Sequence, residues 1–133
     1  MSLELARKVI EGIDPLKFAY ENYGGVKEKN RVKWLTLDSE YKVNIIELGQ
    51  HGHLGLNGSK ASLLSLEKAF GQCVVGHAHT AAIWRGVFRV GTSTKRMEYQ
   101  KGPSSWTQTH CLVYKNGQRQ LINFIDGEFY INS

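Results

Sequence analysis

The 133-residue sequence predicts an α/β fold with N-terminal helices, one βαβ unit and a β-rich C-terminus. Three observations carry this reading. Ala6, Val9, Ile10 and Ile13 recur at helical spacing near the start. A strand, a helix and a second strand succeed one another between Val43 and Val75, the order a parallel pair with a right-handed crossover requires. Later, short apolar runs flank Arg85-Gly86, Asn116-Gly117 and Asp126-Gly127, and the latter two pairs are strong hairpin signals.

The elements follow in order. Ser2 is placed to cap a helix over residues 3 to about 13. Asp14-Pro15 restarts a helix, with Asp as N-cap and Pro in its first turn. Leu16, Ala19 and Tyr20 supply its apolar face, and Gly24-Gly25 stops it. Residues 26–33 form a charged link, after which Trp34, Leu35 and Leu37 anchor the chain to a core. Tyr41, Val43 and Ile45 alternate with Lys42 and Asn44 as in a strand, which turns fully apolar at Ile45-Ile46. The glycine-rich stretch Leu54 to Ser59 lacks the lysine-serine ending of a P-loop. Ser59 is placed to cap the next helix, whose face is Leu63, Leu66 and Phe70, and Gly71 ends it. The strand Cys73-Val74-Val75 follows. Gly102-Pro103-Ser104-Ser105 reads as a turn.

Composition bounds the function. Residues 1–133 read as a single domain, with a 41% hydrophobic and 22% charged composition ordinary for a soluble protein. No apolar run approaches the roughly 20 residues that span a bilayer, so no membrane role is expected. Glu4 and Glu11 depart from a signal-peptide layout, and a cytoplasmic location is expected. The net charge of +5 weakly favours anionic partners. Cys73 and Cys111 both lie in apolar runs outside any CxxC, so both are read as buried free thiols.

Chemistry concentrates in the histidines. Gln50-His51-Gly52-His53 and Gly76-His77-Ala78-His79 each follow an apolar strand candidate. Strand exits are where open α/β sheets place ligands. Neutral imidazole binds zinc, manganese, iron and similar ions without adding charge. In an extended strand, residues two apart point the same way. In a tight turn after Gly76, His77 and His79 can instead diverge toward two neighbouring ions. Gly76 is expected to permit close backbone approach, and His51 reaches the same site if its strand lies beside Val74. His110 lacks a clustered partner and reads as structural.

Gly76-His77-Ala78-His79 resembles the GHxH motif that closes the active site of calcineurin-like metallophosphoesterases. Gln50-His51-Gly52 resembles that family's preceding HG motif. Further stretches, from Glu47 to Gly52, Asn57-Gly58-Ser59, Val90 to Ser93, Gly102 to Trp106 and Tyr114 to Gly117, look like the C-terminal half of bacteriophage-encoded members. The resemblance covers most of the chain. It implies a partial two-sheet α/β sandwich of metallophosphoesterase type. It also implies that His51 and His77 ligate one divalent ion and His79 another. Manganese, zinc, iron or nickel would serve. In such enzymes two ions about 3.5–4 Å apart clamp a phosphate for in-line attack.

The sequence departs from the family in two ways. The DxH, GDxxD and GNHD motifs are absent; Asp14, Asp38 and Asp126 are the only aspartates, and none lies in such a motif. His53 stands where related phage sequences usually carry an acid, so it either adds a metal ligand or marks a site no longer under the original constraint. The expected function is therefore a metal-dependent phosphoester hydrolase that is split or truncated and inactive or weakly active alone. A partner chain would bring the missing motifs. Its substrate would be a nucleotide, nucleic acid or phosphoprotein, and a phage-encoded chain would work in the host cytoplasm. Half of a sandwich would expose apolar surface, so self-association is expected. Two other readings compete: an inactive metal-binding assembly module, and a small nucleic-acid-binding protein. The latter would use Arg31, Lys33, Lys95, Arg96 and Lys101 beside Trp34, Tyr99 and Trp106.

Overall fold

The computed structural model describes residues 12, 14–23, 31–36, 39–94 and 106–131. The helix expected over residues 3 to 13, the Gly24-Gly25 stop, Leu37 and the turn at 102–105 lie wholly or largely outside them. So do Lys95, Arg96, Tyr99 and Lys101. The chain is a mixed α/β protein with two sheets, grouped into two compact units, Met1–Thr36 and Leu37–Ser133.

In the first unit, helix α1 spans Pro15–Tyr23. Asp14 caps it as expected: its carboxylate accepts from the Lys17 amide at 3.0 Å, and its carbonyl accepts from Phe18. Tyr20 meets Trp34 edge-to-face, with centroids 5.6 Å apart.

The second unit begins with β1 (Lys42–Val43) and β2 (Ile46–Glu47), which pair antiparallel. The single strand expected from Tyr41 to Ile46 is thus two short ones. Asn44 takes a left-handed conformation (φ 56°), and its Oδ1 accepts from the Ile45 amide at 2.8 Å. Asparagine tolerates this region because its short side chain hydrogen-bonds locally. The turn leaves Ile45 exposed and buries Ile46 completely.

A one-turn 3-10 segment (Leu56–Gly58) precedes helix α2 (Leu63–Phe70). The N-cap is Ser62 rather than the expected Ser59. Ser62 and Ser65 exchange side-chain bonds with each other's amides in a capping box. Ser59 instead closes the 3-10 turn, donating its amide to Leu56. Leu66 is buried and Leu63 and Phe70 pack against the core, as their spacing implies.

Strand β3 (Cys73–Val75) lies parallel to β2, completing the βαβ unit, and parallel to β5 (Val87–Arg89). Strand β4 (Ala82–Trp84) pairs antiparallel to β5 through the Arg85-Gly86 turn. The sheet order is β1-β2-β3-β5-β4. Leu66, Cys73, Val75 and Val87 form the core beneath α2. Each fully buried aliphatic side chain there contributes about 1.5–3 kcal/mol.

The second sheet is β6 (Gln108–Val113), β7 (Arg119–Ile125) and β8 (Glu128–Ile131), all antiparallel. Both expected turns are present. Lys115 to Gly117 form a three-residue loop closed by Tyr114 and Gln118, with Gly117 at φ 86°. Asp126-Gly127 is a two-residue turn with both φ positive, at 51° and 83°. Arg119 joins the sheets: Nη1 donates to the carbonyls of Cys73 at 2.9 Å and Gly86 at 2.6 Å, and the guanidinium lies 4.2 Å over the Phe88 ring. Desolvation lowers its pKa.

Candidate functional site

Strands β2 and β3 deliver the two histidine segments to the same end of the parallel sheet. The Gly76 amide donates to the His51 carbonyl at 3.0 Å, tying one strand exit to the other. The close approach belongs to Gly52, not Gly76. A Cβ on Gly52 would lie 2.8 Å from Val75 Cβ, and φ is +96°. A Cβ on Gly76 would meet the His51 carbonyl at an ordinary 3.8 Å. Glu47, only 4% exposed, braces the approach to His51. Its Oε1 accepts from the amides of Tyr41 at 3.0 Å and Gly49 at 2.7 Å.

Three of the four clustered histidines converge. His51 Nε2 and His77 Nδ1 are 3.0 Å apart, and their rings stand nearly perpendicular. The His53 ring centroid lies 5.5 Å from that of His51 and 6.0 Å from that of His77. His53 is half-buried, whereas His51 and His77 are exposed.

His77 and His79 both adopt left-handed backbone conformations, with φ of 70° and 62°. Such a conformation costs a non-glycine residue about 1–2 kcal/mol. Surrounding hydrogen bonds hold it. Ala78 donates to the Gly76 carbonyl, Thr107 to the His79 carbonyl, and Arg89 Nε to the Thr80 carbonyl. Consequently the two rings diverge. His77 faces His51, while His79 lies edge-on to Trp106 with centroids 4.4 Å apart.

Thr107 is a residue that sequence reasoning missed. Its Oγ1 accepts from the Ala81 amide at 2.8 Å and its carbonyl from the Thr92 amide at 2.7 Å. With its amide bound to His79, it fastens the histidine turn to the start of β6. No local pattern marks it, because its partners lie up to 28 positions away.

The donor set can be tested for a metal. Two nitrogens bound to one ion at about 2.0–2.1 Å, at angles between octahedral and tetrahedral, sit about 2.8–3.4 Å apart. The His51–His77 separation fits that bite. Among the described residues, however, no group of three or more His, Cys, Asp or Glu side chains is arranged to hold an ion. The chain thus presents two convergent nitrogens, with His53 beside them and His79 turned to Trp106.

The remaining candidates are accounted for locally. His110 packs edge-on to Phe124 at 5.2 Å. Cys73 is buried, and desolvation pushes its thiol up to about 11; Cys111 is half-buried and also raised by burial. No helix among the described residues is long and apolar enough to cross a membrane.

The architecture is a mixed parallel and antiparallel α/β sheet with imidazoles gathered at its parallel strand exits, plus a three-stranded antiparallel sheet. Over 98 residues, 73% of its length, the chain is 47% identical to Protein A1 of Escherichia phage T5. It spans about 17% of that protein, so its likeness is to one part of a much longer polypeptide. No family model matches the chain, and no solved structure matches it.

Proposed function

We propose that this chain is the C-terminal portion of a calcineurin-like metallophosphoesterase, a metal-dependent phosphoester hydrolase whose remaining motifs lie outside residues 1–133. The observation that carries the reading is the 3.0 Å approach of His51 Nε2 to His77 Nδ1 at the ends of adjacent parallel strands. In this reading His51 and His77 hold one divalent ion, with His53 at hand as a further ligand. His79, directed away from that pair, serves a second ion. The divergence of the two rings in the Gly76–His79 turn supports that division of labour.

Divalent ions at this position would polarise a phosphoester oxygen. The chain's own contribution is to preorganise the nitrogens through the Gly76–His51 backbone bond, the Glu47 clasp and the Thr107 brace. The similarity to a small part of a longer phage protein supports reading this chain as one part of a larger enzyme. The substrate would be a nucleotide, nucleic acid or phosphoprotein, and the ion manganese, zinc, iron or nickel. Turnover of a chromogenic phosphodiester by the chain, alone and with a polypeptide carrying DxH, GDxxD and GNHD motifs, tests the proposal. Stimulation that disappears in His77→Ala is expected. A chain that binds no divalent ion would overturn it.

A further inference from the structure

A cavity of about 860 Å³ lies beside the histidine turn, within the range of small-ligand sites. Trp106, Phe124 and Ile125 give it apolar and aromatic surface, and Gln108, Asn123 and Asp126 give it polar surface. The same Trp106 ring that lines the cavity contacts His79. The adjoining Thr107, also in its wall, holds the His79 carbonyl. The cavity and the candidate metal-binding turn therefore share one wall.

Its chemistry points to a flat, polar-edged ring. An indole offers a face for π-stacking. Carboxamides donate and accept at once, matching the mixed edge of a heterocyclic base. Thr109 Oγ1 lies 3.2 Å from Asn123 Oδ1, which fixes that carboxamide's orientation. The Asp126 carboxylate opposes a phosphate entering this space, so a phosphate would stay toward the histidines and the uncharged part of the ligand would occupy the cavity.

We infer that this cavity is a base-binding subsite, and that the phosphoester handled at His51, His77 and His79 carries a nucleoside. This rests on the phosphoesterase reading, but its test does not. The full chain, kept free of divalent metal, is titrated with adenosine while the indole N–H signals of Trp34, Trp84 and Trp106 are followed by NMR. Adenosine at millimolar concentration is expected to shift the Trp106 signal and spare Trp34 and Trp84. Trp106→Ala should weaken binding about tenfold, as losing a stacking partner does, and Trp106→Tyr should retain most of it. Adenosine binding in a chain that takes up no metal would sustain the subsite and refute the metal reading instead. No shift in the wild-type chain would overturn the inference. So would a shift produced equally by inorganic phosphate, or one produced by a phosphoserine peptide and not by adenosine.

Discussion

His51 Nε2 stands 3.0 Å from His77 Nδ1, although 26 positions separate the residues in sequence. Parallel pairing of β2 with β3 makes the meeting possible, and the bond from the Gly76 amide to the His51 carbonyl fixes it. Without metal, one nitrogen donates and the other accepts. With metal, both lone pairs must turn to the ion, so the donating ring must carry its proton on its other nitrogen.

The chain alone is expected to bind one transition-metal ion through this pair. Calorimetric titration with zinc should give a stoichiometry near one. His77→Ala should weaken affinity by more than the roughly 10–100-fold typical of losing an outer-shell partner. Two tightly held ions per chain would contradict the expectation.

Gly52 and Gly76 should differ sharply on substitution. Gly52→Ala forces a Cβ against Val75 and strains a positive φ, for a loss of about 1–3 kcal/mol. Gly76→Ala places its Cβ in ordinary contact and should cost less. Urea midpoints of the two variants would decide, and equal losses would show that the strand exits are looser than described.

That contrast shows what the sequence could and could not display. Period and turn chemistry are local, so α1, α2, the βαβ order and the Asp126-Gly127 turn were legible. Asn44 does not stand out as a turn residue because it sits inside an alternating pattern, where strand and tight turn look alike. Ser62 and Ser59 both satisfy cap chemistry, and only the reciprocal bond with Ser65 selects Ser62. The histidines were legible as two clusters. Their division into a His51–His53–His77 group and a His79–Trp106 pair depends on backbone φ and on Thr107, which no spacing encodes. Arg119, which joins the sheets through the Cys73 and Gly86 carbonyls, was likewise invisible because its partners are tertiary.

Cys73 makes stability depend on pH at the alkaline end. Desolvation raises its folded pKa from 9.0 to about 11, so the folded state retains a proton that the unfolded state loses. This contribution is fully present below pH 9 and falls away as pH rises from about 9 to 11. The loss is on the order of 2 kcal/mol. Cys73→Ala or Cys73→Val should flatten the profile over that window. At pH 8 the Cys73 thiol should resist alkylation until the chain unfolds.

Strand β8 ends its sheet with large apolar side chains in solvent, Phe129 at 65% and Ile131 at 50% exposure. An edge of this kind templates pairing with another chain. Sedimentation velocity should show association that grows with concentration. Phe129→Lys should suppress it without lowering the unfolding midpoint, because the side chain is already solvated. A wild-type chain that stays monomeric across the concentration series would refute this.

Turnover by the isolated chain should be slight, for an electrostatic reason. Two divalent ions about 3.5–4 Å apart repel strongly, and neutral imidazoles do nothing to offset that. A bridging carboxylate would. The buried acid near the histidines in sequence is Glu47, whose Oε1 is already bound by the Tyr41 and Gly49 amides. Releasing it would leave two amides without their acceptor, at about 1–3 kcal/mol each. Among the described residues, no acidic side chain joins the histidines in a metal-binding group. A second polypeptide with an aspartate-bearing motif would supply the charge and complete both ion sites. Phosphodiesterase activity should therefore rise on mixing and vanish in His77→Ala. Glu47→Gln should destabilise the fold and, in what remains folded, leave stimulated activity largely intact. Robust turnover by the chain alone, lost in Glu47→Gln, would mean that Glu47 leaves its clasp and is itself the missing ligand.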